Sequence, residues 1–315
     1  MVGFGVQLWL EEYDLVDLRR AAREVEDLGY GSLWVYDHFY PMSRETSWSI
    51  MEPWTALTYL ATQTEEVRLG VLVTCNSYRH PPILAKMAAT VDVISGGRLE
   101  FGIGAGWFRD EYEAYGIPFR TASERIAMLG EGLEIIKGAW TRERFTFNGR
   151  YYRVRELVSE PKPVQKPHPP IWVGGKDRRV FRIAARYADY LNIALLSPGR
   201  VEERLRVFDE VCREAGRRPG DVERTWHGFV FLGDSETEVR KRIKRFKENS
   251  NVIELKTMGM EEFMDGVIAG TPEKCVEKIN QYIEKGISYF VLNFPYSPDM
   301  KAQRIFAEKV IPLIG

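Results

Sequence analysis

The nine residues LEFGIGAGW, Leu99 to Trp107, run a short apolar strand straight into Gly102, Gly104 and Gly106. Glycine at a strand end lets another group approach the backbone closely, so this could be a nucleotide-binding turn. A dinucleotide fingerprint needs G-x-G-x-x-G opening directly into a helix, with an acid about 20 residues later. Here the pattern is G-x-G-x-G-W, the loop FRDEYEAYGIPFRT follows, and the next clear helix opens near Thr121. The strand is also the fourth apolar segment of the chain, not the first. Spacing and order both exclude the dinucleotide fingerprint. Taken alone, the alternating glycines also fit a strand that crowds its neighbours.

Working outward, eight short segments are rich in Val, Ile, Leu and aromatics: residues 3–10, 32–38, 67–75, 98–106, 170–175, 190–196, 225–233 and 288–294. They are apolar throughout rather than alternating, as strands buried on both faces are. Helical patterns lie between them. Residues 14–29 repeat Leu15, Leu18, Ala22, Val25 and Leu28 and stop at Gly29. Residues 121–140 and 235–249 open with capping-box pairs, Thr121 with Glu124 and Ser235 with Glu238. Residues 271–286 open with Thr271-Pro272. Such alternation means a parallel sheet with helices outside. Eight units spread over 315 residues favour closure into an α/β fold, a (β/α)8 TIM barrel, as a single domain over residues 1–315.

The segments end in Gln7, Asp37-His38, Thr74-Cys75-Asn76, Gly104-Ala105-Gly106, Gly174-Gly175, Asn192 and Asn293. A barrel gathers all of these at its C-terminal mouth, where barrel active sites sit. Two insertions, after strands 4 and 7, are too long for simple loops. Residues 141–169 hold RFTFNGRYYRV, in which Asn148-Gly149 between aromatic runs signals a hairpin. Residues 249–270 carry Met258, Met260, Phe263 and Met264. Such insertions either shape a substrate pocket or cap the outer helix ring, and the sequence leaves both open.

Composition narrows the class. Lys plus Arg is 44 against 45 for Asp plus Glu, a net charge of −1, which favours neither nucleic acid nor an anionic membrane as partner. No apolar run approaches the roughly 20 residues that a membrane helix needs. The start, MVGFGVQLWLEE, lacks a basic region and a cleavage site, so no signal peptide is expected. Cys75, Cys212 and Cys275 are far apart and form no CxxC, as in a reduced, cytoplasmic protein.

Gly174-Gly175-Lys176 precedes a helix from about Asp177. A strand, two glycines and a helix N-terminus offer N–H groups to an anion, with Lys176 adding charge; a plain strand–helix turn reads the same. His38 is a candidate acid–base group, with Asp37 to orient it, although a DH pair also serves as an ordinary loop hydrogen-bond pair. His80 and His168 sit beside prolines, His227 lies inside a strand, and no two histidines have metal-ligand spacing. No G-x-S-x-G elbow, Walker A loop or kinase signature occurs. RKRIKRFK, residues 240–247, reads as a solvated helix face. Trp107 follows the glycines at the barrel mouth; Trp48, Met51 and Arg109 are further loop residues expected near a pocket.

Residues 67–119, from VRLGVLVTCN to AYGIPF, resemble the central signature of the luciferase-like flavin and deazaflavin oxidoreductases. SLWVYDHF before it, PIWVGG after it and the closing GTPEKCVEKINQYIEKGISYFVLN match in order. The resemblance implies a (β/α)8 barrel, usually dimeric, with FMN or the deazaflavin coenzyme F420 at its mouth. It places Gly104, Ala105, Gly106 and Trp107 beside the ring, and Gly174, Gly175 and Lys176 at the cofactor phosphate. It puts a bulge with a cis peptide at Leu72-Val73, next to Thr74, behind the ring. It gives His38, with Asp37, a proton-transfer role at the reactive face. Sugar-phosphate dehydrogenases of the family carry glutamate where this chain has Trp107, which speaks against a sugar phosphate. VYDHFY and the C-terminal third are similar to methylenetetrahydromethanopterin reductase. The expected activity is F420-dependent hydride transfer to or from a small organic substrate. The alternatives are an FMN-dependent monooxygenase supplied by a flavin reductase partner, or a non-catalytic flavin-binding relative. A homodimer is expected in each case.

Overall fold

Eight parallel strands close on themselves in the computed structural model, which describes residues 2–43 and 45–314. The chain's strands are β1 (Gly3–Gln7), β2 (Ser32–Val35), β3 (Arg68–Cys75), β4 (Leu99–Gly104), β5 (Phe145–Asn148), β6 (Arg153–Leu157), β7 (Ile171–Gly174), β8 (Tyr190–Ala194), β9 (Glu223–Leu232), β10 (Ile268–Gly270) and β11 (Tyr289–Asn293). The helices are α1 (Leu15–Asp27), α2 (Pro53–Ala61), α3 (Pro81–Ile94), α4 (Arg109–Ala114), α5 (Ala122–Thr141), α6 (Arg178–Tyr187), α7 (Pro198–Glu214), α8 (Glu236–Asn249), α9 (Ile253–Thr257), α10 (Met260–Asp265), α11 (Pro272–Glu284) and α12 (Lys301–Lys309). The barrel runs β1-β2-β3-β4-β7-β8-β9-β11 and returns to β1. Each of the eight expected segments supplies one of its strands.

The local signals act as read. Asp14 caps α1 by accepting the Asp17 N–H at 2.8 Å, and the helix gives way to Gly29 at φ 75°. Thr121 and Glu124 form the reciprocal capping box of α5. Apolar side chains such as Val6, Leu33, Leu69, Phe101 and Val173 lie fully buried between strands and helices. An aromatic plug fills the barrel's lower interior: Trp34 meets Trp172 at 4.7 Å, and Trp172 stacks on Tyr190 at 4.2 Å. Buried Glu100 accepts from Trp172 Nε1 at 2.6 Å and pairs with Arg68. This plug leaves the upper end of the barrel for a cavity.

Several expectations are refined or corrected. The hairpin at Asn148-Gly149 forms, with Asn148 paired to Arg153 and four residues in the connection. Glu131 on α5 accepts from the Arg150, Tyr151 and Tyr152 amides at 2.7, 2.9 and 3.0 Å, which sets that turn. The hairpin packs on α5 through Phe145, Tyr152 and Val154 and lines no part of the cavity. The segment read as loop after Trp107 contains α4. The second insertion contains α9, α10 and β10, and β10 extends the upper half of β9. In the basic run of α8, Lys241, Arg242, Lys244 and Arg245 are exposed and Arg240 is half-buried, whereas Lys247 is buried and donates to the Met258 carbonyl. That bond ties the insertion to α8. No helix among the described residues is long and apolar enough to cross a membrane.

Candidate active site

Above the plug, the strand ends enclose a cavity of about 570 Å³. Its floor comes from β3, which carries a register shift between Val71 and Thr74. The Leu72-Val73 peptide bond there is cis, as the resemblance implied. The glycines expected to admit a ring instead seat a side chain. A Cβ on Gly104 would stand 2.8 Å from Val73 Cγ2, and one on Gly174 would stand 2.9 Å from Val73 Cγ1. Val73 thus fills the notch between β4 and β7 and presents an apolar floor. Gly106 has φ 76°, and a Cβ there would lie 2.0 Å from Tyr112 Oη, so glycine is required on both counts.

Beside this floor lies Thr74, fully buried, whose Oγ1 has no partner in the protein. A buried hydroxyl left unpaired costs about 1–3 kcal/mol. Thr74 belongs to the cavity lining, which makes its unpaired hydroxyl a candidate partner for a polar atom of a flat ligand lying over Val73. Ala105 and Trp107 line the same cavity, as do Leu72, Gly175 and Lys176. The cofactor residues read from the sequence are therefore brought together.

His38 follows β2 and lines the cavity. Its Nδ1 lies 2.9 Å from Glu111 Oε2. Glu111 comes from α4, its side chain is fully enclosed, and it accepts three further bonds. The Phe39 and Tyr40 amides donate at 2.6 and 2.8 Å, and Tyr78 Oη donates at 2.5 Å. Burial opposes charge on Glu111, but the His38 ring and these donors outweigh it and hold its carboxyl below the usual range. An ionised carboxylate only accepts, so His38 Nδ1 carries the hydrogen and Nε2 is left toward the cavity. Trp107 and Phe108 meet the His38 ring edge-on at 5.6 and 5.8 Å.

Asp37 does not orient His38. Its carboxylate is fully buried and takes a two-pronged bond from Arg79 at 2.8 and 3.0 Å, plus the Cys75 N–H at 2.8 Å. It joins β2 to β3 and leaves the orienting part to Glu111. Asp177 caps α6 by accepting the Arg179 N–H at 2.8 Å, so part of the expected anion site is taken by its own cap. Lys176 is raised in importance instead. Burial and the nearby charges of Arg200 and Arg204 lower its pKa, marking a corner in which cations outnumber the carboxylate of Asp177, already bonded to Arg179.

Sequence reasoning passed over Glu111, Arg79 and His227. Gln7 Nε2 donates to the Leu72 carbonyl at 2.9 Å, so its Oε1 accepts from Trp9 Nε1 at 3.2 Å and from His227 Nε2 at 3.0 Å. His227 therefore keeps Nδ1 as an acceptor at the cavity wall, and burial pushes its pKa down to about 4. Trp48, Met51 and Arg109 do not line the cavity; Met42, Val252 and Leu255 do.

A model of the luciferase-like monooxygenase family matches residues 3–289. The chain belongs to this family. An FMNH2-dependent dimethylsulfone monooxygenase of Pseudomonas putida is 30% identical over 73% of this chain and 63% of that protein, so the chain spans just under two thirds of its length. An F420-dependent glucose-6-phosphate dehydrogenase of Microbacterium testaceum is 27% identical over 98% of this chain and 96% of that protein. Among solved structures, an F420-dependent secondary alcohol dehydrogenase with an F420-acetone adduct superposes with a TM-score of 0.89 at 21% identity, covering 100% of this chain and 99% of that one. That likeness establishes the shared fold.

Proposed function

We propose that this protein is an F420-dependent oxidoreductase that passes a hydride to or from a small organic substrate, with His38 moving the accompanying proton. It is an enzyme of the oxidoreductase class using a flavin or deazaflavin cofactor. The observation that carries the reading is the Glu111–His38 pair, which aims Nε2 at a cavity floored by Val73 and Thr74.

The bound deazaflavin would supply hydride exchange. Val73, Ala105 and Gly106 would support its ring, Thr74 Oγ1 would meet a ring polar atom, and Lys176 with Arg200 and Arg204 would meet its phosphate. In the oxidising direction His38 Nε2 would take the proton of the substrate's O–H as the hydride of its C–H leaves for the cofactor. The reverse reaction returns both. Glu111 stabilises the imidazolium formed. Asp37 and Arg79 hold the β2 and β3 ends in register and take no part in proton transfer.

The 30% identity to the sulfone monooxygenase favours a second reading, reduced FMN in the same cavity supplied by a flavin reductase. Titration with oxidised F420 and separately with FMN, followed by quenching of tryptophan fluorescence, separates the two. Tight F420 and weak FMN binding is expected; the reverse order selects the monooxygenase.

Support for a homodimer comes from α3. Its outward stripe carries Ile83, Lys86, Thr90, Val93 and Ile94, with half-buried Met87 beside it, and Ile83 is 59% exposed. Amphipathic surface helices normally turn polar residues outward. Ile83→Glu is expected to yield a monomer in sedimentation, and an unchanged sedimentation coefficient would contradict this interface.

A further inference from the structure

The charges around the cavity sort to one side. Asp37 is spent on Arg79, and Asp177 on the Arg179 amide and guanidinium. Arg125 donates to the Gly106 and Arg120 carbonyls and lies 4.2 Å from the Phe119 ring. The cation left to a ligand among the cavity-lining residues described is Lys176, at the end of β7. Arg200 and Arg204 bear on that same corner.

The opposite side, over His38, is carbon. Trp107, Tyr36, Trp9 and Phe229 form its wall, with Trp9 touching Tyr36 at 5.6 Å and Phe229 at 5.7 Å. The polar ends of Tyr36 and Trp9 are bonded elsewhere. Tyr36 Oη donates to Glu11, whose other oxygen holds the Met42 amide at 3.1 Å, and Trp9 Nε1 donates to Gln7. Leu195 and Leu255 close the top and separate this cavity from a smaller one of about 120 Å³. Among the described residues of this wall, His38 Nε2, His227 Nδ1 and the Trp107 indole N–H carry no hydrogen bond within the protein, and only the two imidazoles can exchange a proton.

We infer that the substrate is an uncharged, largely apolar molecule with a single reacting polar group, an alcohol or ketone on an aromatic or aliphatic body. This rests on the function proposed above. A phosphorylated sugar placed beside His38 would bury a dianion with no cation at hand, and its remaining hydroxyls would lose water without finding partners. A phenyl or alkyl body gains from contact with the aromatic wall. One hydroxyl or carbonyl oxygen is what the two imidazoles can serve.

The test uses the full-length protein, with and without F420. The neutral fluorescent ketone 6-propionyl-2-(dimethylamino)naphthalene is the probe. Its emission is expected to shift to the blue on binding, 1-phenylethanol is expected to displace it, and glucose 6-phosphate is expected to leave it bound. Val252 lines the cavity and is half-buried; Val252→Lys is expected to weaken the probe about tenfold, the cost of an intruding charge in an apolar site, and to let glucose 6-phosphate compete. Displacement of the probe from the unaltered protein by glucose 6-phosphate overturns the inference. So does absence of probe binding in a protein that binds F420. Probe binding without F420 binding overturns the proposed function while supporting the ligand class.

Discussion

Replacing Glu111 by Gln probes the arrangement that sets the chemistry. The carboxylate accepts four bonds, two amides on Oε1 and His38 with Tyr78 on Oε2. A glutamine keeps its oxygen on the Phe39 and Tyr40 amides and turns an NH2 toward His38 and Tyr78. That group cannot accept. His38 Nδ1 must then become the acceptor, moving the ring hydrogen to Nε2, so the cavity loses its base. Two hydrogen bonds to a charged group are lost, each worth about 1.5–3 kcal/mol. New bonds from the NH2 recover part of this, so a net stability loss of about 2–3 kcal/mol is expected. Loss of positioned acid–base catalysis lowers kcat about 100-fold or more. The assay pairs single-turnover F420 reduction with nitrogen-15 spectra of the histidines, in which the exchange of ring-nitrogen types at His38 reports the tautomer. F420 affinity is expected to hold, since Glu111 does not line the cavity. An E111Q protein with the hydrogen still on Nδ1, or with full kcat, would refute the reasoning.

Other outcomes follow from the same geometry. Gly104→Ala puts a methyl 2.8 Å from Val73 Cγ2; it should cost about 1–3 kcal/mol in urea unfolding and weaken cofactor binding by displacing the floor. Thr74→Val removes a buried, unpaired hydroxyl, so the free protein should gain about 1 kcal/mol of stability while F420 affinity drops about five- to tenfold. Stability should also fall as pH drops through the window between the ordinary histidine value of 6.5 and about 4. There the unfolded chain binds a proton that half-buried His227 refuses, so acid favours unfolding, by at most about 3 kcal/mol. His227→Asn should flatten that part of the urea-unfolding profile; an unchanged slope would count against it.

The sequence carried the barrel because its signals are local and repeated: eight apolar strands in order, polar or glycine ends on seven of them, and capped helical patterns in between. Through family resemblance it brought forward the residues of β3, β4 and β7 that line the cavity. What it hid is the pairing across the mouth. Glu111 sits 73 positions from His38, inside a stretch without a strong helical pattern, and only the barrel's closure brings α4 over the end of β2. Arg79 takes Asp37 for the same reason. His227 looked like a strand residue, and it is one; its value comes from Gln7 on the neighbouring side of the barrel, 220 positions away. The glycines were legible, but the group they make room for was not. Nothing local reveals that Val73 occupies the notch between Gly104 and Gly174. The two insertions looked alike in length, yet one packs on α5 and the other lines the cavity, a difference set by Glu131 and Lys247.

Anaerobic bleaching of F420 tests the central claim most directly. The protein loaded with oxidised F420 is mixed with a panel of neutral secondary alcohols, 1-phenylethanol among them, beside His38→Asn at equal cofactor occupancy. The unaltered protein should bleach the deazaflavin absorbance in a single turnover, while His38→Asn should retain the cofactor and bleach it about 100-fold more slowly. Equal bleaching by both proteins would contradict His38 as the proton carrier, and failure to hold F420 where FMN binds tightly would contradict the hydride-transfer account itself.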